Sequence, residues 1–292
     1  MFDKLLVIGV GLIGGSVALA ARQRGLCRVI HGWGREQDRE NLQLAEQRGV
    51  IDTYTLSLEE ALAGADLVLL ATPVGATEAL LAQLRPWWRD GVIYSDVGST
   101  KRHLAEAAMR CFGSIPANLV PAHPIAGAEQ SGVIAALPDL FQDKRLILTP
   151  LPETDAQALQ AVWRFWEALG ARVSTMSVAH HDAIFAATSH LPHVLAFALT
   201  GMLGRMDEQN EIFQYAAGGF RDFTRIASSD PVMWRDICLA NRDEIVALLR
   251  RFQHEIESLA LLIESEDNQR LFDAFAAAKA ARQRFLDQFN SP

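Results

Sequence analysis

Glycines 9, 11 and 14 stand in the spacing GxGxxG, after an apolar run and before a helix-forming stretch. In a turn from strand to helix, the first glycine allows a tight bend and the second lets the backbone approach a pyrophosphate. The third allows the helix to pack closely on the strand, and the helix N-terminus faces the anion. The position of the pattern therefore predicts a dinucleotide site formed by Gly9, Gly11, Leu12, Ile13 and Gly14.

The residues after the second apolar run bear on which dinucleotide binds. Folds that bind NAD usually place Asp or Glu at the end of the second strand, where the carboxylate binds the ribose 2′-hydroxyl. This chain has Gly34 and Arg35 there. Gly34 leaves space for a 2′-phosphate and Arg35 offers it a positive charge, so the pair modestly favours NADP over NAD. Two alternatives stay open, because Arg35 can be the first solvated residue of a helix and Glu36 can bind the ribose of NAD.

Small and polar residues end the next two predicted strands. Thr72 and Pro73 end one of them, and Asp96, Gly98 and Ser99 end the other. Open α/β sheets bind ligands at the carboxyl ends of their strands, so these residues are expected to line the cofactor site. Gly98 and Ser99 also fit an ordinary turn followed by a helix N-cap, and both interpretations can hold together.

His123 follows another predicted strand, within the apolar segment PAHPIAG at residues 121–127. Imidazole titrates near neutral pH, which suits a general base or a hydrogen-bond acceptor. A satisfied structural histidine is the alternative. The position of His123 at the ligand-binding edge of the sheet favours a catalytic role.

A second group of candidate residues lies in the segment SHLPH of the second half. Ser189 and His193 are four residues apart and so lie on one face of a helix, which Pro192 is expected to kink. A helix kinked in this way suits a cleft. His190 and His193 are three residues apart and no third ligand is evident, so we expect no metal site.

An arginine-rich segment follows the glycine pair at 218–219. Arg225 is a candidate for binding a substrate carboxylate through its guanidinium fork, with Asp222 orienting its neighbours. A surface salt bridge is the better explanation of Arg221.

The elements that must position these residues alternate between strand and helix in the first half. Predicted strands span residues 4–10, 27–33, 66–71, 92–97, 118–122, 145–149 and 172–176. Predicted helices span residues 14–24, 35–48, 58–63, 77–84, 101–111 and 156–169. This alternation predicts an α/β, Rossmann-like, doubly wound parallel sheet in a dinucleotide-binding domain of residues 1–178.

Residues 179–292 show no alternation typical of strands and are expected to form an all-α domain. Ser177 can cap a long helix that runs to about Leu203. Asp230 followed by Pro231 is a strong helix start, with apolar residues at helical spacing to about residue 263, and a last helix covers 267–289. Because these helices are unusually apolar, we expect the domain to bury a large surface against a second copy and so to form a homodimer. Since it also carries Arg225, the candidate for binding a carboxylate, it is the expected substrate domain.

Composition restricts the class of protein. A length of 292 residues suggests two domains, and 50% hydrophobic with 21% charged residues rules out general disorder. The net charge of −8, without a block of Lys or Arg, argues against nucleic acid or a membrane surface as partner. The three cysteines are far apart, which indicates a reducing compartment rather than a disulfide framework.

The apolar stretch Leu5–Ala21 is the one place where a targeting segment has to be considered. Asp3 and Lys4 cancel each other in charge, so the basic region that precedes a signal-peptide core is missing. Outside this stretch we expect no uncharged segment of the roughly 18 residues that a membrane span needs. The sequence therefore predicts a soluble, cytoplasmic protein.

Six motifs resemble the prephenate/arogenate (cyclohexadienyl) dehydrogenase family. They are GVGLIGGS, ATP at 71–73, DVGSTK, HPIAGAEQSG, SHLPH and GGFRDFTRIASSDP, in this order across nearly the whole chain. SHLPH together with GGFRDFTRIA is specific, whereas GxGxxG is not. The resemblance implies a Rossmann-like domain, a helical dimerisation domain and NAD(P)-dependent oxidative decarboxylation. The reaction converts prephenate to 4-hydroxyphenylpyruvate, or arogenate to tyrosine, in tyrosine biosynthesis.

The resemblance also implies roles for individual residues. His123 matches the histidine that accepts a hydrogen bond from the ring hydroxyl, and Ser99 matches the serine between that hydroxyl and the nicotinamide. Arg225 matches the arginine that binds a substrate carboxylate. Ser189 and His193 match the substrate-contacting pair. Glu129 matches a gating acid, and two departures are Ala128, where Thr is common, and Gly34–Arg35, which resembles NADP-using members.

Two other functions compete with that of a prephenate/arogenate dehydrogenase. Another Rossmann dehydrogenase, acting on a β-hydroxy acid, would place a catalytic lysine on the long helix, but residues 179–203 contain no lysine. A non-catalytic NADP-sensing module would have no need of His123 and Arg225 in ligand-facing positions.

Overall fold

The fold is known from a computed structural model that describes residues 2–127 and 130–290. The chain divides into two compact units, Met1–Arg242 and Asp243–Pro292. The domain boundary expected between residues 178 and 179 is a different division and stays a prediction. Glu129, the expected gating acid, lies outside the described residues.

A six-stranded parallel sheet forms the centre of the first unit. Its strands are β1 (Phe2–Ile8), β2 (Cys27–Trp33), β3 (Thr53–Thr55), β4 (Leu67–Leu70), β5 (Ile93–Asp96) and β6 (Leu119–Val120), in the order β3-β2-β1-β4-β5-β6. This is the strand order of a dinucleotide-binding fold, and the expected fold class is confirmed. All four residues of β4 are buried, as expected of a strand covered on both faces. The sequence did not indicate β3, because three residues are too few to show a pattern.

Six helices cover the two faces of this sheet. They are α1 (Leu12–Gln23), α2 (Arg39–Gln47), α3 (Leu58–Leu62), α4 (Thr77–Leu84), α5 (Arg102–Phe112) and α6 (Ala156–Ala168). One apolar cluster contains Val7 and Trp166, and a second contains Leu6 and Tyr94. Successive residues of β1 thus enter different clusters, because side chains alternate between the two faces of a strand. The core on both faces holds the loops at the strand ends in place.

A second, three-stranded sheet corrects one expectation. The strands β7 (Ala122–Pro124), β8 (Arg145–Leu148) and β9 (Arg172–Thr175) pair in that order, with β7 antiparallel to β8. Segments 145–149 and 172–176 were expected in the main parallel sheet, which was wrong. Pro121 separates β6 from β7 and has no N–H to donate to a ladder, so the chain leaves the first sheet there.

The rest of the first unit is helical. It contains α7 (Val178–Phe185), a π-helical turn at Ala186–His190, α8 (Leu191–Leu203), α9 (Gln209–Gln214), α10 (Gly218–Thr224), a 3₁₀ turn at Arg225–Ser228 and α11 (Pro231–Ala240). Two expected helix caps are confirmed. The Ser177 hydroxyl accepts from His180 N at 3.3 Å, and the Asp230 carboxylate accepts from Met233 N at 2.7 Å.

The second unit holds α12 (Arg242–Glu264) and α13 (Asn268–Asn290). The helix expected from residue 231 to about 263 is therefore interrupted at Asn241. Several large apolar side chains of the second unit are exposed. These are Val246, Phe252, Ile256, Leu261, Ile263, Phe272, Phe275 and Phe285.

One helical segment, Val178–Leu203, is long and apolar enough to cross a membrane by length and composition. The expectation that no such uncharged segment exists outside the N-terminal stretch was wrong, because residues 183–204 contain no Asp, Glu, Lys or Arg. The segment carries His181, Asp182 and His190, which are buried and hydrogen-bonded within the first unit. These polar contacts attach the segment to the first unit, while most of its apolar window is not buried within one chain.

Candidate active site

The turn between β1 and α1 needs each of its three glycines for a different reason. Gly9 has a φ of +94°, and a Cβ there would lie 2.6 Å from the Ala71 carbonyl oxygen. A Cβ at Gly14 would lie 2.9 Å from Cγ1 of Val7. At Gly11, by contrast, a Cβ would meet no protein atom within 4 Å. The open space at Gly11, in front of a helix N-terminus, fits a pyrophosphate.

The 3₁₀ turn Glu36–Asp38, which follows β2, holds a carboxylate that the sequence did not point to. Asp38 Oδ2 accepts from the backbone N of Arg35 at 2.9 Å and from its Nε at 3.2 Å. A Cβ at Gly34 would lie 2.9 Å from Asp38 Cβ, so the space expected beside Gly34 is lined by an acid. Glu36 is held by Arg39, with contacts of 2.6 and 2.7 Å. Asp38 stands three residues after Arg35, and this spacing brings two side chains together in a 3₁₀ turn. It was the signal in the sequence that could have revealed the pairing.

Asp96 and Lys101 form a buried ion pair beneath the loop that follows β5. Lys101 Nζ lies 2.6 Å from Asp96 Oδ2 and 2.6 Å from the Ala122 carbonyl oxygen. Asp96 also accepts from the backbone N of Gly98 at 2.8 Å and of Ala122 at 3.0 Å. Asp96 was expected to line the cofactor site, and the structure places it as the acceptor that fixes this loop. Lys101 was not anticipated, since a single lysine in a polar loop carries no pattern.

Ser99 lies in the loop after β5, and Thr72 lies beside the glycine turn. Ser99 is half-buried and precedes α5 by three residues. It does not cap that helix, whose first N–H groups are bound by another residue described below. Thr72 follows β4, and its backbone N would lie 3.0 Å from a Cβ at Gly9. Pro73 follows it and is exposed.

The first N–H groups of α5 are bound by a side chain from α7. Asp182 Oδ1 accepts from Lys101 N and Asp182 Oδ2 from Arg102 N, both at 2.9 Å. The carboxylate is completely buried. It therefore binds the positive end of the α5 dipole, although about 80 residues separate it from α5 in the sequence.

His123 lies on β7 with its ring against α7. Its Nδ1 is 2.9 Å from Nε2 of His181, and its ring centroid is 4.8 Å from that of Phe185. Burial, followed by the charges of Lys101 and His181, lowers the pKa of His123 well below its ordinary value. A neutral imidazole with one nitrogen directed away from His181 can accept a proton.

The π-helical turn and α8 bring together the second group of residues. His193 Nδ1 lies 2.8 Å from the Ser189 carbonyl oxygen, and its ring stacks on Trp234 of α11 at a centroid distance of 3.7 Å. Burial lowers the pKa of His193, and the positive charge of Arg225 acts in the same direction. The ring of His193 therefore links the π-helical turn and α8 to α11. Trp234 was not anticipated from the sequence.

Arg225, Asp222 and Arg221 take different positions. Arg225 begins the 3₁₀ turn after α10. Asp222 is exposed and lies 3.7 Å from Nε of Arg221, which is exposed too. The surface pairing of Arg221 agrees with its interpretation from sequence. Within residues 2–127 and 130–290, no group of three His, Cys, Asp or Glu side chains is placed to hold a metal ion.

Comparison with known proteins decides the family. Residues 17–175 match the prephenate dehydrogenase nucleotide-binding domain and residues 177–277 match the prephenate dehydrogenase dimerization domain. The chain belongs to the prephenate dehydrogenase family. It is 36% identical over 285 residues to cyclohexadienyl dehydrogenase of Zymomonas mobilis, a match that covers 97% of this chain and 96% of that protein. Prephenate dehydrogenase of Bacillus subtilis is 37% identical, over 97% of this chain and 76% of the relative.

Solved structures agree with this assignment to the family. Prephenate dehydrogenase from Aquifex aeolicus, in complex with hydroxyphenyl propionate and NAD+, has a TM-score of 0.90 at 36% identity and covers 98% of this chain and 99% of its own. Arogenate dehydrogenase of Synechocystis has a TM-score of 0.80 at 26% identity and covers 97% and 99%. As a member of the prephenate dehydrogenase family, this chain is an oxidoreductase.

The buried pair of Lys101 and Asp96 generates a stability prediction. Replacing Lys101 by Met leaves the Asp96 carboxylate buried without its counter-charge, and such a loss costs about 3–5 kcal/mol. We expect the urea midpoint of unfolding to fall accordingly, with the m-value unchanged. Lys144→Met, at an exposed lysine, is the matched control. A cost equal to that of the control would contradict the prediction, whereas adding Asp96→Asn should restore part of the loss.

Proposed function

We propose that the protein catalyses NAD(P)-dependent oxidative decarboxylation of prephenate to 4-hydroxyphenylpyruvate, of arogenate to tyrosine, or of both, in tyrosine biosynthesis. The observation that carries the proposal is His123, a half-buried imidazole with a lowered pKa, on the strand that follows the dinucleotide-binding sheet. Reduction of NADP or NAD, followed at 340 nm with prephenate and with arogenate, tests it directly. Absence of turnover with both substrates would overturn it.

The reaction needs only a few contributions from the protein itself. Oxidation at the ring carbon that bears the hydroxyl gives a dienone conjugated to the carbon that bears the carboxylate, and loss of CO₂ then aromatises the ring. The nicotinamide, when bound, supplies the hydride acceptor. The chain has to hold the substrate in place, take the hydroxyl proton and bind the carboxylates.

Each demand has a candidate residue. His123 takes the proton of the ring hydroxyl, and Ser99 lies between that hydroxyl and the cofactor. Arg225 binds a substrate carboxylate, and its positive charge contributes to the lowered pKa of His193. Ser189 and His193 contact the substrate, Asp222 orients the neighbours of Arg225, and Glu129 gates the site.

The cofactor is held by the turn between β1 and α1. Gly9, Gly11 and Gly14 form the cradle with Leu12 and Ile13, and the space at Gly11 takes the pyrophosphate. Thr72, Pro73 and Gly98 line the site from the neighbouring strand ends. Arg35 and Asp38 face the ribose, where one favours a 2′-phosphate and the other a 2′-hydroxyl.

The protein acts as a homodimer in the cytoplasm, joined through its helical part. The family match over residues 177–277 is to a dimerization domain. Only 17% of the most apolar window of Val178–Leu203 is buried within one chain, and a second copy can cover the remainder. The substrate is the remaining partner, with no nucleic acid and no membrane.

Replacing His123 by Asn tests the base. We expect KM for prephenate to change little and kcat to fall roughly 10²–10⁴-fold, which is the usual contribution of a positioned acid–base group. Steady-state kinetics at saturating cofactor measure both constants. A kcat close to that of the unmodified enzyme would remove His123 from the catalytic role.

Arg225→Ala tests the carboxylate contact. Since this contact exists in both ground and transition states, its loss should act mainly on KM. Loss of a charge-assisted hydrogen bond is worth about 1.5–3 kcal/mol, or a rise in KM of roughly 10- to 150-fold. Arg221→Ala is the matched control and should leave KM unchanged. The reverse result would assign the carboxylate to Arg221.

Cofactor choice depends on the balance between Arg35 and Asp38. The sequence favours NADP, but Asp38 gives Arg35 an anionic partner. We therefore expect kcat/KM of the unmodified enzyme to be only slightly higher with NADP than with NAD. Asp38→Asn should raise the ratio of kcat/KM for NADP over NAD, and Arg35→Ala should lower it. A charge-assisted contact of about 1–3 kcal/mol corresponds to a change of roughly five- to 150-fold.

Gly34→Asp is not a suitable test of cofactor choice, because its Cβ would meet Asp38. Glu36→Gln serves as the control, since its carboxylate is held by Arg39. An unchanged ratio in both the Asp38 and the Arg35 variants would show that neither residue contacts the ribose.

A further inference from the structure

Two buried side chains, His181 and Asp182, form a continuous hydrogen-bonded series with the candidate base, His123. His123 Nδ1 lies 2.9 Å from His181 Nε2, and His181 Nδ1 lies 2.7 Å from Asp182 Oδ1. His181 and Asp182 have no exposed surface. Neither the motifs nor the chemistry described so far gives His181 a role.

Asp182 determines which ring nitrogen of each histidine carries a proton. Burial raises the pKa of the Asp182 carboxyl, but hydrogen bonds from His181 and from the backbone of Arg102 and Lys101 outweigh this and lower it. Asp182 is therefore ionised and only accepts hydrogen bonds. It takes the proton on Nδ1 of His181, so that the Nε2 of a neutral His181 carries a lone pair.

That lone pair decides the state of His123. Burial lowers the pKa of His181, so its ring is neutral and its Nε2 has no proton to give. The short contact from His123 Nδ1 then requires the proton to lie on His123. A neutral His123 with its proton on Nδ1 has its free lone pair on Nε2, on the far side of the ring.

We propose that His181 and Asp182 are positioning residues that hold His123 as the Nδ1–H tautomer, so that its Nε2 accepts the proton of the substrate hydroxyl. This inference rests on the proposed function for its chemical purpose. The hydrogen-bonded series itself does not depend on which substrate binds.

Neighbouring side chains and helix α5 hold His123, His181 and Asp182 in position. The ring of Phe185 packs on both histidines, with centroid distances of 4.8 Å to His123 and 4.6 Å to His181. The Asn241 amide donates to the Asp182 carbonyl oxygen at 2.8 Å. Asp182 also caps α5 through its two carboxylate oxygens. The base is thus aligned by a carboxylate whose own position is determined by two helices.

Two substitutions of His181 separate positioning from mere packing. His181→Phe keeps a planar ring but offers no acceptor to His123 Nδ1. His181→Gln places an amide oxygen where Nε2 was and can still accept that proton. His180→Phe is the matched control, because His180 is the neighbouring histidine on α7 and is exposed.

The first readout is the tautomer of His123, from ¹⁵N chemical shifts of the full-length protein labelled at histidine and assigned with His123→Asn. We expect Nδ1–H in the unmodified protein, in His181→Gln and in His180→Phe. In His181→Phe the Nε2–H form should become substantially populated. An Nε2–H tautomer in the unmodified protein overturns the proposal without any variant having to fold, as does an Nδ1–H tautomer retained in His181→Phe.

The second readout is kinetic. With prephenate, kcat of His181→Phe should fall roughly 10²-fold, at the lower end of the worth of an acid–base group, while KM changes less than threefold. His181→Gln should recover most of kcat. Equal losses in the Phe and Gln variants would contradict positioning. Failure of the unmodified enzyme to turn over prephenate and arogenate would overturn the proposed function instead, and the tautomer result would be unaffected.

Discussion

The buried carboxylate of Asp182 is the contact on which the arrangement of the site depends. It binds the first two N–H groups available at α5 and the imidazole of His181 at the same time. A fully buried carboxylate is costly unless its oxygens are satisfied, and here each oxygen accepts at least one hydrogen bond. Helix α5, which begins beside the cofactor loop, and helix α7, which leads to the substrate residues, are therefore held in one relative position.

The pair of Lys101 and Asp96 extends this constraint to the sheet. Lys101 donates its backbone N–H to Asp182 and its ammonium to Asp96, which also accepts from Gly98 and Ala122. Ala122 precedes His123 directly. The end of β5, the start of β7 and the helices α5 and α7 are thus joined into one network, and burial makes each of its bonds stronger than it would be in water.

The sequence predicted the parts of this fold that repeat locally. The glycine turn, the buried strands and the caps at Ser177 and Asp230 each have a pattern within a few residues, and the structure places them as expected. The network of Asp96, Lys101 and Asp182 has no such pattern, because its bonded members Lys101 and Asp182 are 81 residues apart in the sequence. The second sheet was missed for a related reason, since an isolated apolar run does not reveal which strand it pairs with.

The π-helical turn at Ala186–His190 has a consequence for how this chain can change in evolution. Such a turn contains one residue more than an α-helical turn, and it lies between His181 of α7 and His193 of α8. Removal of one residue would restore a regular helix and rotate one side against the other by about 100°. His181 and His193 could then no longer both point toward the site. A substitution in this helix alters one side chain, whereas an insertion or a deletion of a single residue would separate proton acceptance from substrate binding.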